Sequence, residues 1–171
     1  MKSPGIRVAS GAMKGRKLEV PPGIRPTEQK VREALFSIWG ERLAGATLLD
    51  LFAGSGAVAI EAISRGALST TLVESNRSVV AALERNVAPL PRGSYRLLAL
   101  PAERALAELA RQAARFDLVF ADPPYSWVPD AGFLAACSLL LRSGGVLTIE
   151  HSARSALPAS AGDLVRTDSR R

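Results

Sequence analysis

Between Ala46 and Glu150, short apolar segments alternate with segments of helical periodicity, and this alternation constrains the fold more than any other feature. Apolar runs of five or six residues suit strands that are buried on both faces. The predicted strands are Ala46–Leu51, Thr70–Glu74, Tyr95–Leu100, Asp117–Ala121 and Val146–Glu150, and the predicted helices are Ala57–Arg65, Arg77–Ala88, Ala102–Ala113 and Ala131–Leu141. Strand–helix–strand units with right-handed crossovers predict a doubly wound α/β domain, a mostly parallel sheet with helices on both faces. Ligands of such sheets bind beyond the carboxyl ends of the strands.

The segment before this alternation is strongly basic. Residues 1–42 contain nine basic and four acidic side chains, whereas residues 43–171 contain 13 and 12. Alternating apolar and basic residues from Arg7 to Val20 predict a hairpin, and Thr27 is placed to cap a helix that ends near Gly40. We expect residues 1–42 to be an extension that binds a polyanion and residues 43–171 to be the main domain, although a solvated basic surface is the alternative.

Several classes of protein are disfavoured by composition. With one cysteine, Cys137, and one histidine, His151, we expect neither a disulfide nor a zinc site, and no metal at all. No long apolar stretch or hydrophobic leader is evident, so we expect a cytoplasmic protein outside the membrane. Nothing in the sequence demands more than a monomer.

A glycine-containing loop follows the first predicted strand, in the string from Asp50 to Ala59. Gly54 and Gly56 allow a tight turn and close approach of the backbone to a ligand at the start of a helix. Gly54-x-Gly56-x-x-Ala59 also fits a dinucleotide fingerprint, but Asp50 would repel a pyrophosphate and attract an ammonium or sulfonium group. Glu74, about twenty residues on, is placed to accept the hydroxyls of an adenosine ribose.

The string Asp122-Pro123-Pro124-Tyr125 directly follows the fourth predicted strand. The prolines fix the backbone and cannot donate hydrogen bonds, so their carbonyls and the Asp122 carboxylate form a rigid set of acceptors. Acceptors facing one point suit an amino group, and the Tyr125 ring offers a face on which a base can stack.

These motifs resemble two nested families. Asp50-x-Phe52-x-Gly54-x-Gly56, Glu74 and the Asp-Pro-Pro-Tyr string resemble the Rossmann-like class I S-adenosylmethionine (SAM) methyltransferases that modify exocyclic amines. The N-terminal strings are similar, more narrowly, to the bacterial 16S rRNA guanine-N2 methyltransferases. These strings are Arg7-Val8-x-x-Gly11, Lys14-Gly15-Arg16-x-Leu18 and Arg25-Pro26-Thr27-x-x-x-Val31-Arg32-Glu33-Ala34-Leu35-Phe36.

The resemblance implies methyl transfer from SAM to the N2 amine of a loop guanine in 16S rRNA, within an assembled or assembling 30S subunit, and release of S-adenosylhomocysteine (SAH). The implied catalytic residues are Asp122, Pro123, Pro124 and Tyr125. The implied cofactor residues are Asp50, Phe52, Ala53, Gly54, Ser55, Gly56, Glu74, Ser75, Asn76, Ala102 and Glu103. The implied RNA-binding residues are Arg7, Lys14, Arg16, Lys17, Arg25, Thr27 and Arg32.

The sequence departs from the family pattern in two places. Relatives carry an aspartate near the adenine amino group after the third strand, where this chain has Ala102 and Glu103, so either Glu103 or backbone groups would contact that amine. Relatives also close the sheet with a C-terminal antiparallel hairpin, whereas only one strand is predicted here, near Asp163–Thr167.

Three other functions stay open at this point. The glycine loop alone fits a nicotinamide-dependent oxidoreductase, but that function leaves the Asp-Pro-Pro-Tyr string unexplained. The basic arm fits a catalytically idle RNA-binding assembly factor. Among amine methyltransferases, the adenine-N6 and cytosine-N4 DNA enzymes and the protein-glutamine enzymes differ from this sequence only at the N-terminal arm.

Overall fold

The chain begins with a hairpin and a helix that pack against the main domain. The computed structural model describes residues 5–21, 23–24, 27, 29–124, 126–151 and 157–169. Strands β1 (Ile6–Arg7) and β2 (Lys17–Leu18) pair antiparallel, as the sequence predicts. Helix α1 (Gln29–Trp39) follows and continues into a 3-10 turn at Gly40–Leu43.

Five parallel strands form the main sheet. They are β3 (Thr47–Leu51), β4 (Ser69–Val73), β5 (Tyr95–Leu98), β6 (Phe116–Ala121) and β7 (Leu141–Ile149). Their order is β5-β4-β3-β6-β7. The chain therefore adds β4 and β5 on one side of β3, and then β6 and β7 on the other side. This order places a topological switch point between β3 and β6. The predicted doubly wound sheet is confirmed.

Four helices connect these strands and cover both faces of the sheet. They are α2 (Ala57–Ser64), α3 (Arg77–Val87), α4 (Ala102–Arg111) and α5 (Ala131–Leu140). One face packs on α4 and α5, and the other packs on α1, α2, α3 and the N-terminal hairpin. The buried residues of α4 are Ala102, Ala105, Leu106 and Leu109, at the spacing of one helical face. Helix α2 differs, because it buries residues all around its surface.

The last strand of the sheet begins earlier than the predicted Val146. Helix α5 ends at Leu140 and β7 starts at once, with Leu141 opposite Phe116 on β6. The next pair is Leu118 with Val146, so the intervening residues of β7 form a bulge in which Gly144 adopts φ +76°.

A second short hairpin follows the sheet, and the single strand predicted near Asp163–Thr167 is part of it. Strands β8 (Ser160–Ala161) and β9 (Leu164–Val165) pair with each other rather than with β7. Across the described ranges, no helix combines the length and apolar character that crossing a bilayer requires.

Candidate active site

A cleft of about 640 Å³ opens at the carboxyl ends of β3, β4 and β6, where the topology predicts a ligand. Four carboxylates line it: Asp50, Glu74, Asp122 and Glu150. They come from the ends of four neighbouring strands, β3, β4, β6 and β7, since parallel strands finish at the same edge of the sheet. This accumulation of acidic groups favours a ligand that carries positive charge.

Asp50 lies at the base of this cleft and is only 1% exposed. Its pKa is raised well above the usual value by burial and by the nearby carboxylate of Asp122, while the backbone N–H of Ala59 opposes the shift. Its Oδ2 atom is buried and has no hydrogen-bond partner among the described residues. A buried acceptor of this kind is suited to a cationic N–H donor from a ligand.

The glycine loop between β3 and α2 is tied to the end of β4. The Gly54 N–H donates to Glu74 Oε2 at 3.0 Å, and the Asn76 N–H donates to Glu74 Oε1 at 2.9 Å. Gly54 and Gly56 have φ angles of +55° and +78°, in the region where glycine is favoured. Glu74 therefore faces the cleft with its carboxylate held by two backbone donors.

Asp122 stands at the tip of β6, followed by buried Pro123 and exposed Pro124. The Pro124 carbonyl accepts a hydrogen bond from the Trp127 N–H at 2.8 Å, which closes the turn. Of the acceptors predicted in this string, the Pro124 carbonyl is thus engaged within the protein. Burial raises the pKa of Asp122, and a hydrogen bond from the Thr27 hydroxyl lowers it.

Three aromatic rings fasten this turn beside the glycine loop. Trp127 packs edge-on against Phe133 of α5 with ring centroids 4.6 Å apart, and lies 5.4 Å from the ring of Phe52. Phe52 adopts φ +64°, an uncommon conformation for a residue with a side chain, at a cost of about 1–3 kcal/mol. Residues of both predicted motifs, Phe52 and Pro123 among them, line one cleft.

Described residues just before α1 and in its first turn form another wall. Ile24, Thr27 and Val31 line the cleft. The RNA contact that the sequence motif predicts for Thr27 stays a prediction, and the Thr27 hydroxyl donates to Asp122 Oδ2 at 3.0 Å. Sequence reasoning missed this contact because the two residues are 95 positions apart in the chain.

Arg32, also predicted to contact RNA, is a buried structural residue. It is 3% exposed and forms an ion pair with Glu61, which is 0% exposed, at 3.4 Å. Its guanidinium also donates to the backbone carbonyls of Thr27 at 2.8 Å and Arg7 at 3.1 Å. Because Arg32 is itself buried and its donors bond within the protein, it does not belong to an exposed RNA surface. One feature of the sequence could have indicated a role for Glu61: it is the lone charged residue of the mostly apolar α2.

The predicted basic hairpin divides into exposed and anchored residues. Arg7, Lys14 and Lys17 are exposed. Arg16 is half-buried and donates to the Asn86 carbonyl on α3, so it anchors the hairpin rather than projecting from it. The Asn86 side chain in turn bonds the hairpin at Glu19 and the glycine loop at the Ser55 carbonyl.

Apart from Arg32 and the hairpin residues, five predicted site residues are not brought to the cleft or cannot be placed there. Gly56 packs against Leu83 and is not among the described residues that line the cleft. Ala102 is buried against the core and Glu103 is exposed at the start of α4, and neither is among the described residues that line the cleft. Tyr125 and Arg25 lie outside the described residues. Ser75 and Asn76 do line the cleft, beside Glu74.

These features fit SAM. Asp50 and its unsatisfied oxygen would hold the amino group, Glu74 the ribose hydroxyls, and the glycine loop would lie close to the methionine part. In the same cleft, the Asp122 carboxylate and the Pro123 carbonyl would offer acceptors to a second molecule with an amino group. A parallel sheet that presents both sets of groups at its switch point belongs to a class I methyltransferase.

Comparisons with known proteins narrow this class. The chain belongs to the family described as Conserved hypothetical protein 95, whose sequence profile matches residues 6–171. Ribosomal RNA small subunit methyltransferase D of Escherichia coli strain K12 is 40% identical over 147 residues, covering 85% of this chain and 71% of that protein. The family resemblance predicted from the motifs is confirmed.

Solved structures agree with the fold. A hypothetical protein of Thermus thermophilus gives a TM-score of 0.80 at 36% identity, covering 90% of both chains. A structure assigned to a methyltransferase and complexed with SAH gives a TM-score of 0.63 at 22% identity, covering 77% of this chain and 37% of that one. The second likeness concerns the fold alone.

Proposed function

We propose that this protein transfers the methyl group of SAM to the exocyclic N2 amine of a loop guanine in small-subunit (16S) ribosomal RNA. The observation that carries the proposal is the meeting of Asp50 and Asp122 in one cleft, one at the tip of β3 and the other at the tip of the neighbouring β6. The name of the 40% identical Escherichia coli relative supports small-subunit rRNA as the substrate.

The chemistry requires the amine to be oriented, because its lone pair is conjugated with the guanine ring and is a poor nucleophile. Asp122 and the Pro123 carbonyl would accept the two amine hydrogens and direct the nitrogen lone pair along the cleft. When bound, SAM supplies an activated methyl carbon whose bond to sulfur breaks as the bond to nitrogen forms. The Asp122 carboxylate would offset the positive charge that develops on nitrogen, and a proton then leaves the nitrogen. Tyr125 would stack on the target base.

A loop guanine is favoured because its base can leave the stack at low cost. Extruding a base from a duplex costs a few kcal/mol, and extruding an unpaired loop base costs less. Arg7, Lys14 and Lys17 would contact the phosphates around it, since they are the exposed cations of the hairpin. Residues 1–42 thereby act as the RNA-binding extension and residues 43–171 as the methyltransferase domain, in a cytoplasmic monomer that acts on the 30S particle.

The proposal is tested by methyl transfer from labelled SAM to unmethylated 30S particles and to naked 16S rRNA, with mass mapping of the product. We expect Asp122→Ala to abolish transfer while SAH still binds, and Asp122→Asn to retain partial activity because its oxygen still accepts. Full activity of Asp122→Ala would refute the assigned role. Label appearing on another rRNA, or none on a guanine, would refute the substrate.

A further inference from the structure

We propose that Thr27 is a positioning residue of the reaction, whose hydroxyl orients the Asp122 carboxylate toward the substrate amine. The inference rests on the proposed function, in which Asp122 receives that amine. It also gives Thr27 a role that differs from the RNA contact predicted from its sequence motif.

The contact itself is specific. Thr27 Oγ1 lies 3.0 Å from Asp122 Oδ2, and both residues line the cleft. With Oδ2 accepting from the hydroxyl, rotation of the carboxylate about its last bond is restricted. The second oxygen, Oδ1, then has a defined direction in which to accept an amine hydrogen, and a fixed acceptor is worth more in a transition state than a rotating one.

The hydroxyl also favours the ionised form of Asp122. Burial disfavours the carboxylate, and the carboxylates of Asp50, Glu74 and Glu150 line the same cleft. A hydrogen bond donated to the charged form opposes these effects. Without Thr27, Asp122 would hold its proton to higher pH, and its protonated form accepts amine hydrogens less well.

The backbone of Thr27 is itself held in place by a hydrogen bond. Its carbonyl accepts from Arg32 Nη1 at 2.8 Å, and Arg32 is fixed by the buried Glu61. Glu61 Oε1 also accepts from Arg65 at 2.6 Å. Since these groups are buried or half-buried in the core of the domain, the main chain of Thr27 has a rigid support although it precedes α1.

The experiment compares Thr27→Val, Thr27→Ser and the matched control Thr47→Val. Thr47 Oγ1 donates to Asp117 Oδ2 at 2.8 Å, so the control removes the same kind of hydrogen bond at the opposite end of β6. Each variant is assayed for kcat and KM for SAM across pH. The Asp122 carboxyl is also titrated by carbon NMR, which needs no substrate.

We expect Thr27→Val to lower kcat about 10- to 100-fold with KM for SAM changed less than about threefold. The pH of half-maximal kcat on the acid side should rise, as should the NMR midpoint of Asp122, because the hydroxyl that lowers the Asp122 pKa is gone. Thr27→Ser should restore both values, because it keeps the hydroxyl. Thr47→Val should leave both midpoints where they are in the wild type.

Three results would overturn the inference. The first is a Thr27→Val enzyme whose kcat and acid-side pH dependence match the wild type. The second is a loss of kcat in Thr27→Val without any change in the NMR midpoint of Asp122. The third is a Thr27→Ser enzyme that is as impaired as Thr27→Val. A wild-type protein that transfers no methyl group to rRNA, but whose Asp122 midpoint still moves in Thr27→Val, would refute the proposed function and leave the hydrogen-bond role standing.

Discussion

Two glycines of the same loop should respond very differently to alanine. Gly54 and Gly56 both have positive φ angles, so a Cβ costs roughly 1–2 kcal/mol of backbone strain at either position. A Cβ on Gly56 would lie 2.5 Å from Leu83 Cδ1 and 3.4 Å from Ile60 and Leu72, all fully buried. A Cβ on Gly54 would find its nearest neighbour at 3.8 Å.

The difference between the two variants isolates this crowding. Alanine restricts the unfolded chain equally at both positions, and the backbone strain is similar, so these contributions largely cancel. Forcing an extra methyl group into a packed core costs about 1–3 kcal/mol. Gly56→Ala should therefore be less stable than Gly54→Ala by about 1–3 kcal/mol, which corresponds to a Tm difference of about 2–12 °C for a chain of this length.

Urea denaturation followed by tryptophan fluorescence measures this difference directly. The slope of the free energy of unfolding against urea should be the same in both variants, since neither changes the surface exposed on unfolding. Equal stabilities within about 0.5 kcal/mol, or a less stable Gly54→Ala, would show that Gly56 is not packed against α3 in the way described.

Three further predictions concern charge and burial. Because burial and neighbouring carboxylates raise the pKa of Asp50, the affinity for SAM should increase with pH by up to tenfold per unit below that pKa, and calorimetry should find no such slope in Asp50→Asn. The same shift favours the folded, ligand-free protein at low pH, and this contribution is lost as pH rises through the raised pKa. Replacing Lys14 and Lys17 by Gln should reduce the slope of log affinity for RNA against log salt concentration by about 0.7 to 0.9 per lost phosphate contact. The control Arg111→Gln, on α4, should leave this slope unchanged. An unchanged slope in the lysine variants would refute their contact with RNA. Burial raises the pKa of Cys137 to about 12, so its reaction with a thiol reagent in native protein should be far slower than in urea, and equal rates would contradict the packing.

The parts of the site that the sequence predicted are those that follow one strand each. Asp50, Glu74 and Asp122 come directly at or after apolar runs, and the parallel sheet brings the ends of such runs to one edge. Local patterns of apolar residues and glycines are therefore enough to assemble the cleft.

The parts that sequence reasoning misassigned depend on pairs far apart in the chain. Arg32 resembles part of an exposed basic motif until Glu61, on a different helix, is seen to pair with its guanidinium in the interior. The excess of basic residues in a sequence does not show which of them are exposed, so it does not distinguish an exposed lysine from a buried arginine. Glu103 is exposed at the first turn of α4 and Ala102 is buried there, and neither is among the described residues that line the cleft, so their contact with the cofactor stays a prediction.

The two backbone donors on Glu74 have a thermodynamic consequence for ligand capture. Freezing a mobile side chain on association costs about 0.5–1.5 kcal/mol. Glu74 is already immobilised by Gly54 and Asn76, so a diol that bound to it as predicted would not meet that entropic cost. A free-energy difference of about 1.4 kcal/mol changes a dissociation constant tenfold, so this pre-ordering should lower the dissociation constant roughly two- to tenfold.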